Sequence, residues 1–149
     1  MTGDLQFSGV KRFQSMYTGG CLCGAIRYEI RGGIRNIVYC HCSRCRKAQG
    51  SAFGTNGIVA AEVFRIVEGE GMLTGYESTP GQTRYFCRTC GSPIFSRSTA
   101  RPTQVRVRIG TIESDIVERP MAHIFATSKA SWDDIGGNLP QYESYEPGR

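Results

Sequence analysis

The chain has 149 residues, of which 40% are apolar and 21% charged; these are the proportions of one folded domain, with too little chain for two full ones. Its 18 basic and 13 acidic residues leave a net charge of +5, which suits an anionic small molecule and falls short of the dense basic stripe of a nucleic-acid binder. No apolar run reaches the ~18–20 residues that a membrane span needs, and the opening segment holds no signal-like apolar core, so the cytoplasm is the expected compartment.

Residues 1–16 read as a tail. Phe7, Val10 and Phe13 recur every three residues, which leaves a short docking helix open beside the simpler reading of a frayed extension. A single domain is expected over residues 17–149. Ile26, Tyr28 and Ile30 alternate with Arg27, Glu29 and Arg31, the two-residue period of a half-buried strand. Gly32-Gly33 turns the chain, and Ile37-Val38-Tyr39 runs as a second strand into Cys40. Ser43 to Gln49 is expected to make two helical turns, with Ser43 as N-cap and Gly50 as the stop. Residues 57–60 and 63–67 are β-branched enough for strands, ended by a glycine-rich turn at 68–71. Met72–Glu77 and Thr83–Phe86 flank Thr79-Pro80-Gly81 as a hairpin. Val105, Val107 and Ile109 alternate with Arg106 and Arg108, which predicts a strand with one wet face, and His123–Ala126 is expected to be a last short strand. Nineteen glycines and six prolines cut the chain into short pieces, as an all-β fold with many turns requires.

Seven cysteines are the outlying count. They fall into Cys21-Leu22-Cys23, Cys40-His41-Cys42-Ser43-Arg44-Cys45 and Cys87-Arg88-Thr89-Cys90. Thiols of an intracellular chain stay reduced and an odd number defeats a purely disulfide framework, so metal or redox chemistry is indicated. Two thiolates on a short loop chelate one ion with little extra ordering, and zinc suits thiolates. In extended backbone, Cys21 and Cys23 would project to one side; the same rule at Cys40 and Cys42 turns His41 away from the ion its neighbours grip. Gly91 after Cys90 fits a knuckle turn that needs positive φ. Seven sulfurs cannot fill two four-coordinate sites. A four-plus-three division is natural, with Cys21, Cys23, Cys87 and Cys90 closing one site and Cys40, Cys42 and Cys45 leaving another one ligand short. Spacing alone does not prove which groups combine, nor whether His41 or a distant side chain fills the gap.

The runs Gly-Gly-Cys-Leu-Cys-Gly-Ala (19–25), Cys-His-Cys-Ser-Arg-Cys-Arg-Lys (40–47) and Phe-Cys-Arg-Thr-Cys-Gly-Ser-Pro (86–93) resemble the family of glutathione-dependent formaldehyde-activating enzymes, to which centromere protein V is related. Pro120-Met121-Ala122-His123-Ile124 and Ser128-Lys129-Ala130-Ser131-Trp132 resemble its C-terminal half, and the likeness covers residues 17–135. The resemblance implies a mainly β, zinc-stabilised fold shared with methionine sulfoxide reductase B, with short helical turns. It also implies two Zn²⁺ sites, structural at Cys21, Cys23, Cys87 and Cys90 and catalytic at Cys40, Cys42 and Cys45. The implied activity is that of a carbon–sulfur lyase that joins glutathione to formaldehyde.

An ion held by three thiolates is already in an anionic complex and polarises a carbonyl poorly. It is better suited to taking up a further thiol, which must lose its proton to bind. Glutathione would then add to formaldehyde from that position. Arg44, Arg46 and Lys47 could bind the two carboxylates of glutathione, or simply form a solvated helix face. Arg106 and Arg108 are explained by a wet strand face, His123 is a proton donor or a satisfied strand-end histidine, and Lys129 with Trp132 makes an anion contact or a closing edge. The alternatives are a non-enzymatic zinc-stabilised binding or chaperone-like module, and redox chemistry at the central thiols. The expected partners are a small thiol such as glutathione and a small aldehyde, with no nucleic acid and no membrane.

Overall fold

Among the described residues, ten short strands and one short α-helix follow from this alternating, glycine-broken sequence. The computed structural model describes residues 16–149, so the reading of Phe7, Val10 and Phe13 lies outside the described residues. The elements are β1 (Tyr17–Gly20), β2 (Arg27–Ile30), β3 (Arg35–Cys40), α1 (Ser43–Gln49), β4 (Gly54–Ala60), β5 (Phe64–Glu68), β6 (Leu73–Thr79), β7 (Gln82–Cys87), β8 (Pro93–Ser98), β9 (Gln104–Arg108) and β10 (Ala122–Ile124). A three-stranded sheet runs in the order β1-β2-β5 and a seven-stranded sheet in the order β10-β3-β4-β9-β8-β7-β6. Every pairing is antiparallel except β10 with β3. The mainly β expectation holds.

The core lies between the two sheets. Tyr28 and Ile30 from β2 and Ile26 beside it meet Val59, Phe95, Val105 and Val107 from the large sheet, all of them buried. Each such side chain contributes roughly 1.5–3 kcal/mol by leaving water. Gly19 lies opposite Tyr28 in the β1–β2 ladder, and a Cβ there would stand 2.4 Å from the tyrosine hydroxyl oxygen and 2.5 Å from the carbonyl oxygen of Thr111. Only glycine lets the strand come that close. Across the β4–β9, β8–β9 and β7–β8 ladders Asn56 faces Arg108, Ser96 faces Arg106 and Arg84 faces Ser96, which places a polar row on the same sheet as the apolar core strands.

Several expectations need correction. Cys42, not Ser43, caps α1: it is extended at φ −64° and ψ 153°, and its sulfur accepts from the Cys45 amide, whereas Ser43 is already helical. The Gly50 stop is as expected, in the left-handed region at φ 62°. Residues 21–23 form a turn rather than an extended run, closed by the Gly24 amide on the Cys21 carbonyl at 3.1 Å. The strand of Val105 and Val107 ends at Arg108, and Ile109 opens a 3-10 turn. Its arginine face is not wet, because β9 lies inside the sheet and Arg108 is only 4% exposed. The last strand stops at Ile124, since Phe125 takes φ 51° and breaks the ladder before a 3-10 turn at Ala126–Ser128.

Glu118 ties β1 to the segment after β9. Its carboxylate accepts from the Tyr17 hydroxyl and, at 2.8 Å, from the Ile34 amide. Burial pulls its pKa up, but the hydrogen bonds from Tyr17, Ile34 and nearby amides outweigh that and hold it below the ordinary value. The unfolded chain therefore binds this proton more readily. The stabilisation is complete above the unfolded pKa of about 4.3 and is lost as pH falls through the lower folded value. Glu118→Gln is expected to cost about 1 kcal/mol at neutral pH, because water reaches this carboxylate, and to flatten that part of the acid limb. Urea midpoints from pH 3 to 7 check it; unchanged midpoints at pH 7 would contradict it.

Candidate functional site

The first cysteine group assembles where the turn after β1 meets the end of β7. The sulfurs of Cys21, Cys23, Cys87 and Cys90 all lie within 4.8 Å of one another. Cys21 and Cys23 are 3.6 Å apart and Cys23 and Cys87 3.8 Å. Four thiolates around zinc at about 2.3 Å would sit about 3.8 Å apart, so the donor set and its spacing fit a closed tetrahedral site. Local backbone prepares it: the Ile26 amide donates to the Cys21 sulfur at 3.2 Å, and the Gly91 amide donates to the Cys87 carbonyl at 2.8 Å. Gly91 holds φ 78°, as the knuckle requires. The Ser92 hydroxyl, 3.3 Å from the Cys90 sulfur, and the Ser92 amide bring the Cys90 thiol down to about 5. A partner of this kind suits a thiolate.

The second group is built at the end of β3. Cys40 closes the strand, Cys42 caps α1 and Cys45 sits in its first turn, with the Cys45 amide 3.3 Å from the Cys42 sulfur. The three sulfurs lie within 4.8 Å of one another, and among the described residues no fourth His, Cys, Asp or Glu joins them. Cys40 and Cys45 are buried in a small cluster with Val38, Ala122 and Ile124. Three soft sulfur donors on one rigid corner fit a zinc-type ion with one position left for another ligand.

His41 points away from the trio, as the extended spacing predicts, but not to solvent. Its ring is wholly buried, and its Nε2 is 2.8 Å from Nδ1 of His123. The pair packs at tilted angles against Tyr39 and Phe53. Burial lowers the pKa of both rings, and at His41 the neighbouring His123 adds to the effect, so one neutral ring donates to the other. The His41 amide also donates to the Ile124 carbonyl at 3.0 Å, which fixes the Cys40–Cys42 bend against β10. Removing the partner with His123→Ala leaves Nε2 of His41 buried and unpaired, at an expected cost of about 1–3 kcal/mol. Chemical denaturation checks this; an unchanged midpoint would mean that the pair does not hold the bend.

Sequence reasoning missed the groups that surround Cys45. Asn56 Nδ2 lies 3.9 Å from its sulfur, and the two terminal nitrogens of Arg84 lie 3.9 and 4.0 Å away. Hydrogen bonds from Cys40 and Cys42 lower the Cys45 thiol far below its ordinary value, and the charges of Arg84 and Arg108 deepen the effect. Cys40 is pushed up in turn by sharing those hydrogen bonds. An asparagine inside the apolar run of β4 was the one available signal; Arg84 and Arg108 come into view only once the strand order is known.

The residues expected to bind anions are placed differently. Arg44 and Lys47 are exposed on α1, and Arg46 turns back so that its Nε donates to the His41 carbonyl at 3.3 Å. Lys129 donates to the Asp133 carbonyl at 2.8 Å, and Trp132 is 72% exposed. Among the described residues no helix is long and apolar enough to cross a membrane.

Residues 16–128 match the family described as glutathione-dependent formaldehyde-activating enzyme. Relatives provisionally named for that activity occur in Aspergillus flavus and Aspergillus oryzae, each 27% identical over 95 residues, or 60% of this chain and 50% of theirs. One from Penicillium rubens is 26% identical over the same shares. The chain thus spans about half the length of the curated relatives it matches. A crystal structure of a Rhodobacter sphaeroides protein is similar at a TM-score of 0.56 and 26% identity, covering 67% of this chain and 91% of that one.

Proposed function

This chain belongs to the glutathione-dependent formaldehyde-activating enzyme family, and from that premise we propose that it joins a thiol, glutathione or one like it, to formaldehyde or a related small aldehyde. The observation that carries the reading is the trio Cys40, Cys42 and Cys45, whose sulfurs converge while no fourth ligand joins them among the described residues. A zinc ion held there would supply an open coordination position at which an incoming thiol gives up its proton. The trio is then the catalytic group, and Cys21, Cys23, Cys87 and Cys90 are the structural one.

The reaction is an addition with no redox change. A carbon–sulfur bond forms, the carbonyl π bond opens onto oxygen, and the proton released from the thiol ends on that oxygen. What the protein must do is hold a thiolate in place and keep its own sulfurs anionic. The Cys45 amide on Cys42 and the Arg84 and Asn56 donors facing Cys45 serve the second task. His41 and His123 are hydrogen-bonded to each other and are left out of proton transfer. Arg44, Arg46 and Lys47 remain the proposed contacts for a distal carboxylate of glutathione, with Arg44 one helical turn before Ala48 on the same face of α1.

The test is exchange NMR on carbon-13 formaldehyde and glutathione with the zinc-loaded chain. Adduct formation faster than the uncatalysed reaction, in proportion to protein, is expected; a rate equal to the uncatalysed one would overturn the proposal.

A further inference from the structure

Arg108 is a buried cation with no carboxylate partner among the described residues; the acidic group whose charge it feels is the thiol of Cys45. It is 4% exposed, and among the described residues its NH1 donates to the Arg106 carbonyl at 3.3 Å while its Nε meets no acceptor. Among the described residues the ion pairs are Arg27–Glu113, Arg31–Glu29 and Arg149–Glu146, so neither Arg108 nor Arg84 faces a carboxylate. Burial lowers the Arg108 guanidinium to about 10, which still leaves it charged at neutral pH. A desolvated guanidinium with spare donors is costly unless something accepts from it.

Arg108 lines a cavity of about 260 Å³ between the end of α1 and strands β6–β9. Gln49, Tyr76, Arg84, Phe86 and Pro93 form the rest of the wall that matters here. Gln49 Nε2 is a second buried donor that meets no acceptor among the described residues. Two unpartnered donors therefore border one mostly apolar chamber, and Arg84 reaches from its wall to the Cys45 sulfur. Arg84 thus links the chamber to the trio, and its donors ask for an acceptor with two oxygens.

We propose that this cavity receives the carboxylate of the incoming thiol, with Arg108 as its buried anchor and Arg84 beside it, so that the site selects thiol acids over their neutral analogues. The proposal rests on the reading of the trio as the thiol-binding group. It places the inner carboxylate on β7 and β9, apart from the exposed Arg44 and Lys47 of α1. Arg108 is a specificity-determining residue here, and no bond to it forms or breaks.

Calorimetry on the zinc-loaded chain tests the idea with S-methylglutathione and its diethyl ester, neither of which offers a free thiol. The acid is expected to bind about tenfold or more tightly than the ester, and Arg108→Met to bring the two to within about twofold. Arg84→Met, at a partly exposed position, should narrow the same gap without relying on a buried substitution. Equal affinity of the wild-type protein for acid and ester would overturn the proposal, as would no binding of the acid, or a loss in both variants that is the same for both ligands. Glutathione itself separates the two readings. Binding no tighter than its S-methyl form would count against the thiol position at the trio, while the acid–ester gap would still report on Arg108.

Discussion

Cys45→Ala is expected to lower the proposed thiol–aldehyde addition by more than about 100-fold while leaving the chain folded. Cys45 is the sulfur on which the site converges: its amide meets Cys42, and Asn56 and Arg84 aim at its sulfur. Without it only two thiolates remain on that corner, too few for a three-ligand zinc site. The fold should lose only about 1–2 kcal/mol, because the core between the sheets and the four-cysteine group are untouched. Zinc analysis should find one equivalent fewer than in the wild-type chain, with an unchanged far-ultraviolet circular dichroism spectrum. A variant with full zinc content would show that Cys45 is no ligand.

Cys87→Ala should do the opposite and unfold the protein. Cys87 is fully buried, belongs to the main core and ends β7 where it turns toward Cys90. Its loss leaves three sulfurs, those of buried Cys21, half-buried Cys90 and exposed Cys23, and opens a gap in the core. Structural zinc in small domains contributes on the order of 10–16 kcal/mol, comparable with the whole stability of a domain at about 5–15 kcal/mol. A strong chelator added to the wild-type chain should reproduce the unfolding. A Cys87→Ala chain that melts at the wild-type temperature would show that the four-cysteine group does not hold the fold.

Local patterns carried the strands well, because alternation and glycine turns act over a few residues. Ile26, Tyr28 and Ile30 point inward as their spacing indicates, and Gly50 and Gly91 take the left-handed conformations expected of them. The two sulfur groups form as the four-plus-three division requires. What spacing did not reveal depends on strands distant in sequence. Arg106 and Arg108 looked solvated because alternation cannot tell an outer face from one covered by other elements. Arg84 lies 39 residues after Cys45, and only the order β4-β9-β8-β7 brings it near that sulfur. The cap of α1 passes to Cys42 because a sulfur at that position accepts an amide proton as a serine oxygen would. His41 is buried against His123 across the parallel β3–β10 pair, a contact invisible from either residue alone.

Zinc K-edge X-ray absorption, recorded on the zinc-loaded chain as glutathione is added, addresses the incomplete trio most directly. The mean number of sulfur neighbours per zinc should rise to about four as glutathione saturates, with total zinc unchanged. A spectrum with four sulfurs per zinc from the start and no response to glutathione would mean that the protein completes both sites itself, and the account would be contradicted.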